Sequence, residues 1–230
     1  MDLSVNQTSA SLGSISQLQK QREEEDEKIA SGRRINGADD DPAGLQIASR
    51  LSAEINENAQ RSINAQDQIN VNTVQAGGLS AINDGLQRAN ELSVAAGNPL
   101  NSSDAIQSEL DELTEQINTL AGEVLGDPSF LNPLNASDPS ASQETINAAL
   151  EAVNEEAVAL GANSNGLSGQ VSTYDTAVVN VSESRSRIED TDVAETTANQ
   201  EQLNVLLQAA IVAKKDDEEA RKGLLINQVV

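Results

Sequence analysis

Apolar residues return every three or four positions over long stretches of this chain, the spacing that lines one face of an α-helix. The clearest run is Ile106, Leu110, Leu113, Ile117 and Leu120. A longer one starts at Ile146, Leu150, Val153, Ala157 and Leu160. It keeps its phase through Leu167, Val171, Tyr174, Val178, Val181 and Ile188, with Ser164 and Arg185 as polar interruptions. Between Pro42 and about Gly97, Leu51, Ile55, Ala59 and Ile63 mark one stripe, and Leu79, Ile82, Leu86 and Ala89 mark another. That stretch predicts one helix on the order of 80 Å long. Gly77-Gly78 is its weak point, where a bend or a close helix contact is expected because each glycine costs about 1 kcal/mol in a helix interior.

Punctuation between the runs is equally readable. Gly32 stops the first helix, Gly37 loosens the turn, and Asp41-Pro42 opens the next helix with a capping carboxylate and a proline at the first helical position. Asp39 and Asp40 add charge near that N-terminus, which the helix dipole favours. Gly97-Asn98-Pro99 ends the long helix, and Ser103 or Asp104 is expected to cap the following one. Residues 123–142 hold three of the five prolines and read as a loop or small irregular cap. Asp190-Thr191-Asp192 reads as a second joint, followed by a helix from about Ala194 to Gly223.

Composition narrows the class. Aromatics make up 1% of the residues, a single Phe130 and a single Tyr174, so a thin all-α bundle held by Leu, Ile, Val and Ala fits better than a deep globular core. Cysteine and histidine are absent, which removes disulfides, thiol chemistry, the usual zinc ligands and the commonest general base. The net charge is −23, with no Lys or Arg from Ala89 through Ser184. Such a surface repels phosphate backbones and anionic lipid, so neither nucleic acid nor membrane is an expected partner. Asp39-Asp40-Asp41 lacks the spacing of a calcium loop, and Glu23-Glu24-Glu25-Asp26-Glu27 reads as a solvated helix face. No metal site, no cofactor and no catalytic group is expected, and the chain is not read as an enzyme.

Two blocks carry a family resemblance. Ser31-Gly32, Arg34-Ile35-Asn36 and Asp40-Asp41-Pro42-Ala43-Gly44-Leu45 resemble the N-terminal signature of bacterial flagellins. Ser184-Arg185-Ser186-Arg187-Ile188-Glu189-Asp190-Thr191-Asp192 resembles the C-terminal one. The resemblance implies an all-α, elongated antiparallel bundle of long helices, the flagellin rod, with coiled-coil-type terminal helices. Residues 1–41 and 191–230 would supply the inner filament domain and residues 42–190 the rod-like core, with the loop at its far end and the outer domains missing. It also implies a structural subunit of the flagellar filament, partnered by its filament neighbours and by an export chaperone. The subunit would leave the cell by the flagellar export channel without a cleaved signal. A hook–filament junction protein shares both signatures. A non-polymerising core that serves only as a ligand is a further reading.

The resemblance reaches single residues as well. Leu86-Gln87-Arg88-Ala89-Asn90-Glu91-Leu92 and Ile106-Gln107-Ser108-Glu109 are similar to the segments recognised by the innate flagellin receptor, a Toll-like receptor. That places Arg88, Leu92 and Glu109 in a receptor contact, with Asn90 where the family often has a second arginine. The assembly seam would run through Leu12, Ile15 and Ile29 at one end and Leu203, Leu207 and Leu224 at the other. Charge interrupts both seams: Gln19, Arg22 and Asp26 on the first, Lys214, Asp217 and Arg221 on the second. Burying unpaired charge in a filament is costly. These positions predict a chain that assembles poorly, with disordered termini, as in a subunit engineered for solubility.

Overall fold

The computed structural model describes the backbone of residues 2–227 and the side chains of residues 12–219. Five helices follow one another: α1 Asp2–Ser31, α2 Pro42–Ala96, α3 Ser103–Val124, α4 Pro139–Glu189 and α5 Val193–Asn227. No β-strand occurs among the described residues, only an isolated bridge between Arg33 and Asp190. The all-α expectation therefore holds.

The capping logic is visible in the hydrogen bonds. Gly32 ends α1 at φ +69° and donates its N–H to Lys28 O at 2.9 Å, the left-handed stop that glycine accepts without strain. Asp41 Oδ1 accepts from Ala43 N at 3.1 Å and Gly44 N at 2.9 Å, so two free amides of α2 are satisfied. The N-cap of α3 is Ser102 rather than Ser103 or Asp104, and its side chain makes no capping bond. Helix α4 begins at Pro139, four residues earlier than the loop reading allowed. Asp138-Pro139 repeats the Asp-Pro opening of α2, and Asp138 Oδ1 accepts from Ala141 N at 3.1 Å.

The chain divides into two compact units. One comprises Met1–Asn56 with Val178–Val230, the other Glu57–Ala177. The division falls inside α2 and α4 and not at the two joints.

In the second unit, Leu79, Ile82, Leu86 and Ala89 of α2 meet Ile106, Leu110, Ile117 and Ala121 of α3 and Ile146, Ala149 and Val153 of α4 in one apolar core. Gly78 is a close approach: a Cβ there would stand 2.3 Å from Val124 Cγ2, whereas one at Gly77 would meet nothing within 4 Å. The α4 seam is half-buried as its phase predicts, except that Ala157 is exposed. Its Ser164 interruption is met by Asn72, whose Nδ2 donates to Ser164 Oγ at 3.1 Å. Asn72 is buried, and Gln68 Nε2 satisfies its Oδ1 at 3.1 Å. Ser62 Oγ donates to Asp175 at 2.8 Å, so ten residues along α2 correspond to eleven back along α4. Ile63 is exposed, and Ser62 and Ala65 take the inward positions.

Residues 125–138 form a strap across α3 in place of a free loop. Asn118 donates Nδ2 to Leu131 O at 2.9 Å and accepts from Leu131 N at 2.7 Å. Gln107 does the same for Leu134 O and Ala136 N, at 2.9 and 2.8 Å. Each carboxamide imitates a strand neighbour for the strap backbone. Leu131, Leu134 and Ala136 are buried beneath it.

Candidate functional site

In the first unit α1 and α5 pack along each other. They run antiparallel, because Gly32 at the end of α1 meets Thr191 just before α5 (Thr191 N to Gly32 O, 3.1 Å), while Asp26 meets Gln200. The inward positions of α5 are Thr196, Gln200, Leu203, Leu207, Ala210 and Lys214, an unbroken four-three repeat. On α1 they are Ile15, Leu18, Arg22, Glu25, Asp26 and Ile29.

The residues expected on the two seams differ in burial within the pair. Ile15, Ile29 and Leu203 are half-buried, and Leu207 is buried at 8% exposure. Leu12 is 48% exposed, and Gln19 is exposed where Leu18 takes the inward place. Asp217 is exposed, while Arg221 and Leu224 lie beyond the residues whose side chains are described. The described parts of both terminal segments are helical and paired, which corrects the expectation of disordered ends. The physical reason is that most of the polar seam residues have partners, one across the pair and the others within their own helix. Asp26 Oδ1 accepts from Gln200 Nε2, Lys28 Nζ reaches Glu25 at 2.8 Å, and Lys214 Nζ lies 3.8 Å from Glu218. Arg22 Nε is 3.8 Å from Asp26, a looser contact, and has no hydrogen-bond partner.

The base of this helix pair is a joint built from residues about 150 positions apart. Arg34 N donates to Glu189 O at 2.7 Å, and Arg34 Nη2 donates to Ile188 O at 2.6 Å. The Glu189 carboxylate, 10% exposed, receives Arg33 Nη1 at 2.8 Å on one oxygen and Arg185 Nε at 3.6 Å on the other. Arg185 Nη1 also donates to Ser52 Oγ of α2 at 3.3 Å, so the second polar interruption of the α4 seam is an anchor. Ser186 Oγ donates to Asp190, and Asp192 Oδ1 caps α5 by accepting from Ala194 N at 2.9 Å. Asp40 Oδ2 closes the preceding turn by accepting from Asn36 N and Gly37 N at 2.8 and 3.1 Å. These two bonds, Asn36 first, hold its carboxyl below the ordinary aspartate range. Gly44 is required by space: a Cβ would stand 2.6 Å from Ile35 Cδ1 and 2.5 Å from Asp41 Oδ2.

A separate patch lies in the second unit. Arg88 donates Nη2 and Nε to Glu109 Oε1 of α3 at 2.9 and 3.3 Å, and Nη1 to Glu91 at 3.1 Å. Glu109 first and Glu91 second hold the guanidinium above its usual range. All three side chains are exposed. Leu92, grouped with them by the resemblance, is 7% exposed and belongs to the apolar core. Its side chain points inward, as the step from Leu86 through Ala89 requires.

The comparisons with known proteins address both ends of the chain. The model of the bacterial flagellin N-terminal helical region matches residues 4–131, and that of the C-terminal helical region matches residues 143–214. The chain belongs to the bacterial flagellin family. A flagellin of Salmonella choleraesuis is 34% identical over 184 residues, 75% of this chain and 36% of the relative. Phase 2 flagellin of Salmonella typhimurium is 36% identical over 163 residues, 66% and 31% of the two chains. Flagellin 1 of Proteus mirabilis is 41% identical over 98 residues, 41% and 27%. The chain thus spans about a third of the length of the relatives it matches. The two family signatures, distant in sequence, are the two halves of the one joint described above.

Sequence reasoning missed Leu18, Gln200 and the two carboxamides of α3. The four-three repeat ending at Leu203, Leu207 and Ala210 could have been extended back to Gln200 and Thr196. No local signal marked Gln107 or Asn118, whose partners lie in the strap.

Proposed function

We propose that the chain is a structural subunit of the bacterial flagellar filament, exported through the flagellar channel and assembled by helix packing without chemistry. The observation that carries this reading is the α1·α5 pair closed at its base by the signature joint. It brings both terminal regions of the chain into one surface. The outer side of α5 leaves Val205, Ile211 and Val212 exposed, apolar area that neighbouring subunits would cover. Repeated head-to-tail contacts that do not close produce an open filament. A net charge of −23 on every subunit makes each such contact costly at low salt, where screening is weak. The expectation is therefore soluble protein at low salt and filaments in electron micrographs after addition of ammonium sulfate. Only amorphous precipitate across a range of seeded and unseeded conditions would overturn this reading in favour of the non-polymerising core. No helix among the described residues is long and apolar enough to cross a membrane.

A second role, ligand for the innate flagellin receptor, is supported by the exposed Arg88–Glu109 pair. Arg88→Ala is expected to weaken receptor signalling with the helical content unchanged. Equal signalling by Arg88→Ala and Glu109→Ala would return both to ordinary surface charges. Leu92 would act through packing beneath the patch.

A further inference from the structure

The sequence contains two Asn-Gly pairs, Asn36-Gly37 and Asn165-Gly166. An asparagine before glycine is open to attack by the next residue's amide nitrogen, because glycine crowds that nitrogen least and bends freely. The two pairs sit in opposite surroundings. Asn165-Gly166 lies in the interior of α4, where the backbone is helical and the Gly166 N–H is committed to the helix ladder. Asn36-Gly37 lies between α1 and α2, half-exposed, in a bend outside any helix. A Cβ at Gly37 would meet nothing nearer than Asp39 N at 4.0 Å, so no neighbouring group crowds the Gly37 Cα. The Gly37 nitrogen is held by Asp40, whose Oδ2 accepts from Gly37 N at 3.1 Å and from Asn36 N at 2.8 Å.

We propose that Asn36 is a site of spontaneous deamidation and that Asp40 is its gate. In the reaction the Gly37 nitrogen loses its proton to solvent base and bonds to Asn36 Cγ. The Cγ–Nδ2 bond breaks, and Nδ2 departs as ammonia. Water then opens the cyclic imide at either carbonyl, leaving aspartate or isoaspartate at position 36. The native turn opposes the first step twice. The carboxylate's negative charge disfavours removal of a proton that it already accepts, and the hydrogen bond keeps the nitrogen directed at Asp40. Once modified, position 36 loses the amide that donates to Arg33 O at 3.4 Å and gains a carboxylate beside Asp40. The isoaspartate form also adds a backbone atom next to buried Ile35. Deamidation is therefore a slow chemical change aimed at the joint.

The test uses the full chain incubated at alkaline pH, sampled over time, digested with trypsin under mildly acidic conditions and read by tandem mass spectrometry. Two peptides report: Ile35–Arg50, whose single asparagine is Asn36, and Ala89–Arg185, which contains Asn165. In the folded chain Asn36 is expected to exchange its amide for a carboxyl while Asn165 stays intact. Asp40→Ala should speed the Asn36 change at least several-fold. In denaturant both asparagines should react at comparable rates and the Asp40→Ala effect should vanish. Gly37→Ala keeps Asp40 and should suppress the change at Asn36, an arm that holds even if Asp40→Ala perturbs the turn. Equal rates at Asn36 and Asn165 in the folded chain, or no acceleration in Asp40→Ala with its helical content retained, would overturn the proposal.

Discussion

Gly77 and Gly78 are adjacent, chemically identical and placed in the same helix interior, yet alanine should act oppositely at the two. At either site alanine gains about 1 kcal/mol of helix propensity. At Gly77 the new methyl meets nothing within 4 Å, so Gly77→Ala should stabilise the chain by about that amount. At Gly78 it would stand 2.3 Å from Val124 Cγ2 and 3.5 Å from Val124 Cβ and Cγ1. Valine in a helix has one strongly preferred rotamer, so the methyl cannot swing aside cheaply. The α2 backbone cannot slide either, because buried Leu79 and Ile82 follow immediately. Overpacking of this kind costs about 1–3 kcal/mol. After subtraction of the propensity gain, Gly78→Ala should destabilise by up to about 2 kcal/mol. Urea unfolding followed by helical circular dichroism would measure both, and each kcal/mol should move a thermal midpoint by about 2–4 °C in a chain of this size. Val124→Ala, combined with Gly78→Ala, should remove the overlap and recover most of the loss. Equal stabilisation by the two single variants would refute the argument, since it would mean that Val124 yields freely.

Glu189→Ala should destabilise the first unit by about 1–3 kcal/mol, because Arg33 and Arg185 lose their shared carboxylate and the half-buried Arg185 is left uncompensated; wild-type unfolding would contradict the role assigned to the joint. Ser93→Ala should stabilise by about 1 kcal/mol, since the Ser93 hydroxyl is fully buried with no hydrogen-bond partner and alanine is the better helix former; a loss of stability would reveal a bond for that hydroxyl. Asp40 contributes stability above its unfolded-state pKa of about 3.9, and this is lost as pH falls through the lower folded value. Asp40→Asn should therefore flatten the acid limb of the stability profile, as read by urea midpoints against pH, and an unchanged limb would show that the turn does not sense this carboxylate.

What the sequence determined by itself is local and periodic. The four-three spacing from Ile106 to Leu120 and from Leu160 to Ile188 places the helices and their inward faces, because a helix is specified by neighbours three and four residues away. Gly32 and Asp41-Pro42 set the ends of α1 and α2, because capping groups act within one turn of where they stand. Tertiary structure decided whatever depends on a partner far along the chain. Leu18 is turned inward where the regular spacing pointed to Gln19, and the antiparallel pairing that sets Asp26 against Gln200 puts Leu18 at the level of buried Leu207. Arg185 and Ser164 looked like faults in an apolar seam until Ser52, Glu189 and Asn72 were seen beside them. Asn118 and Gln107 read as ordinary surface amides because the strap backbone that they clasp has no side-chain pattern of its own. The joint shows the difference most plainly: Arg33, Arg34 and Glu189 each carry a local reason to be polar, but only folding brings them within hydrogen-bond distance.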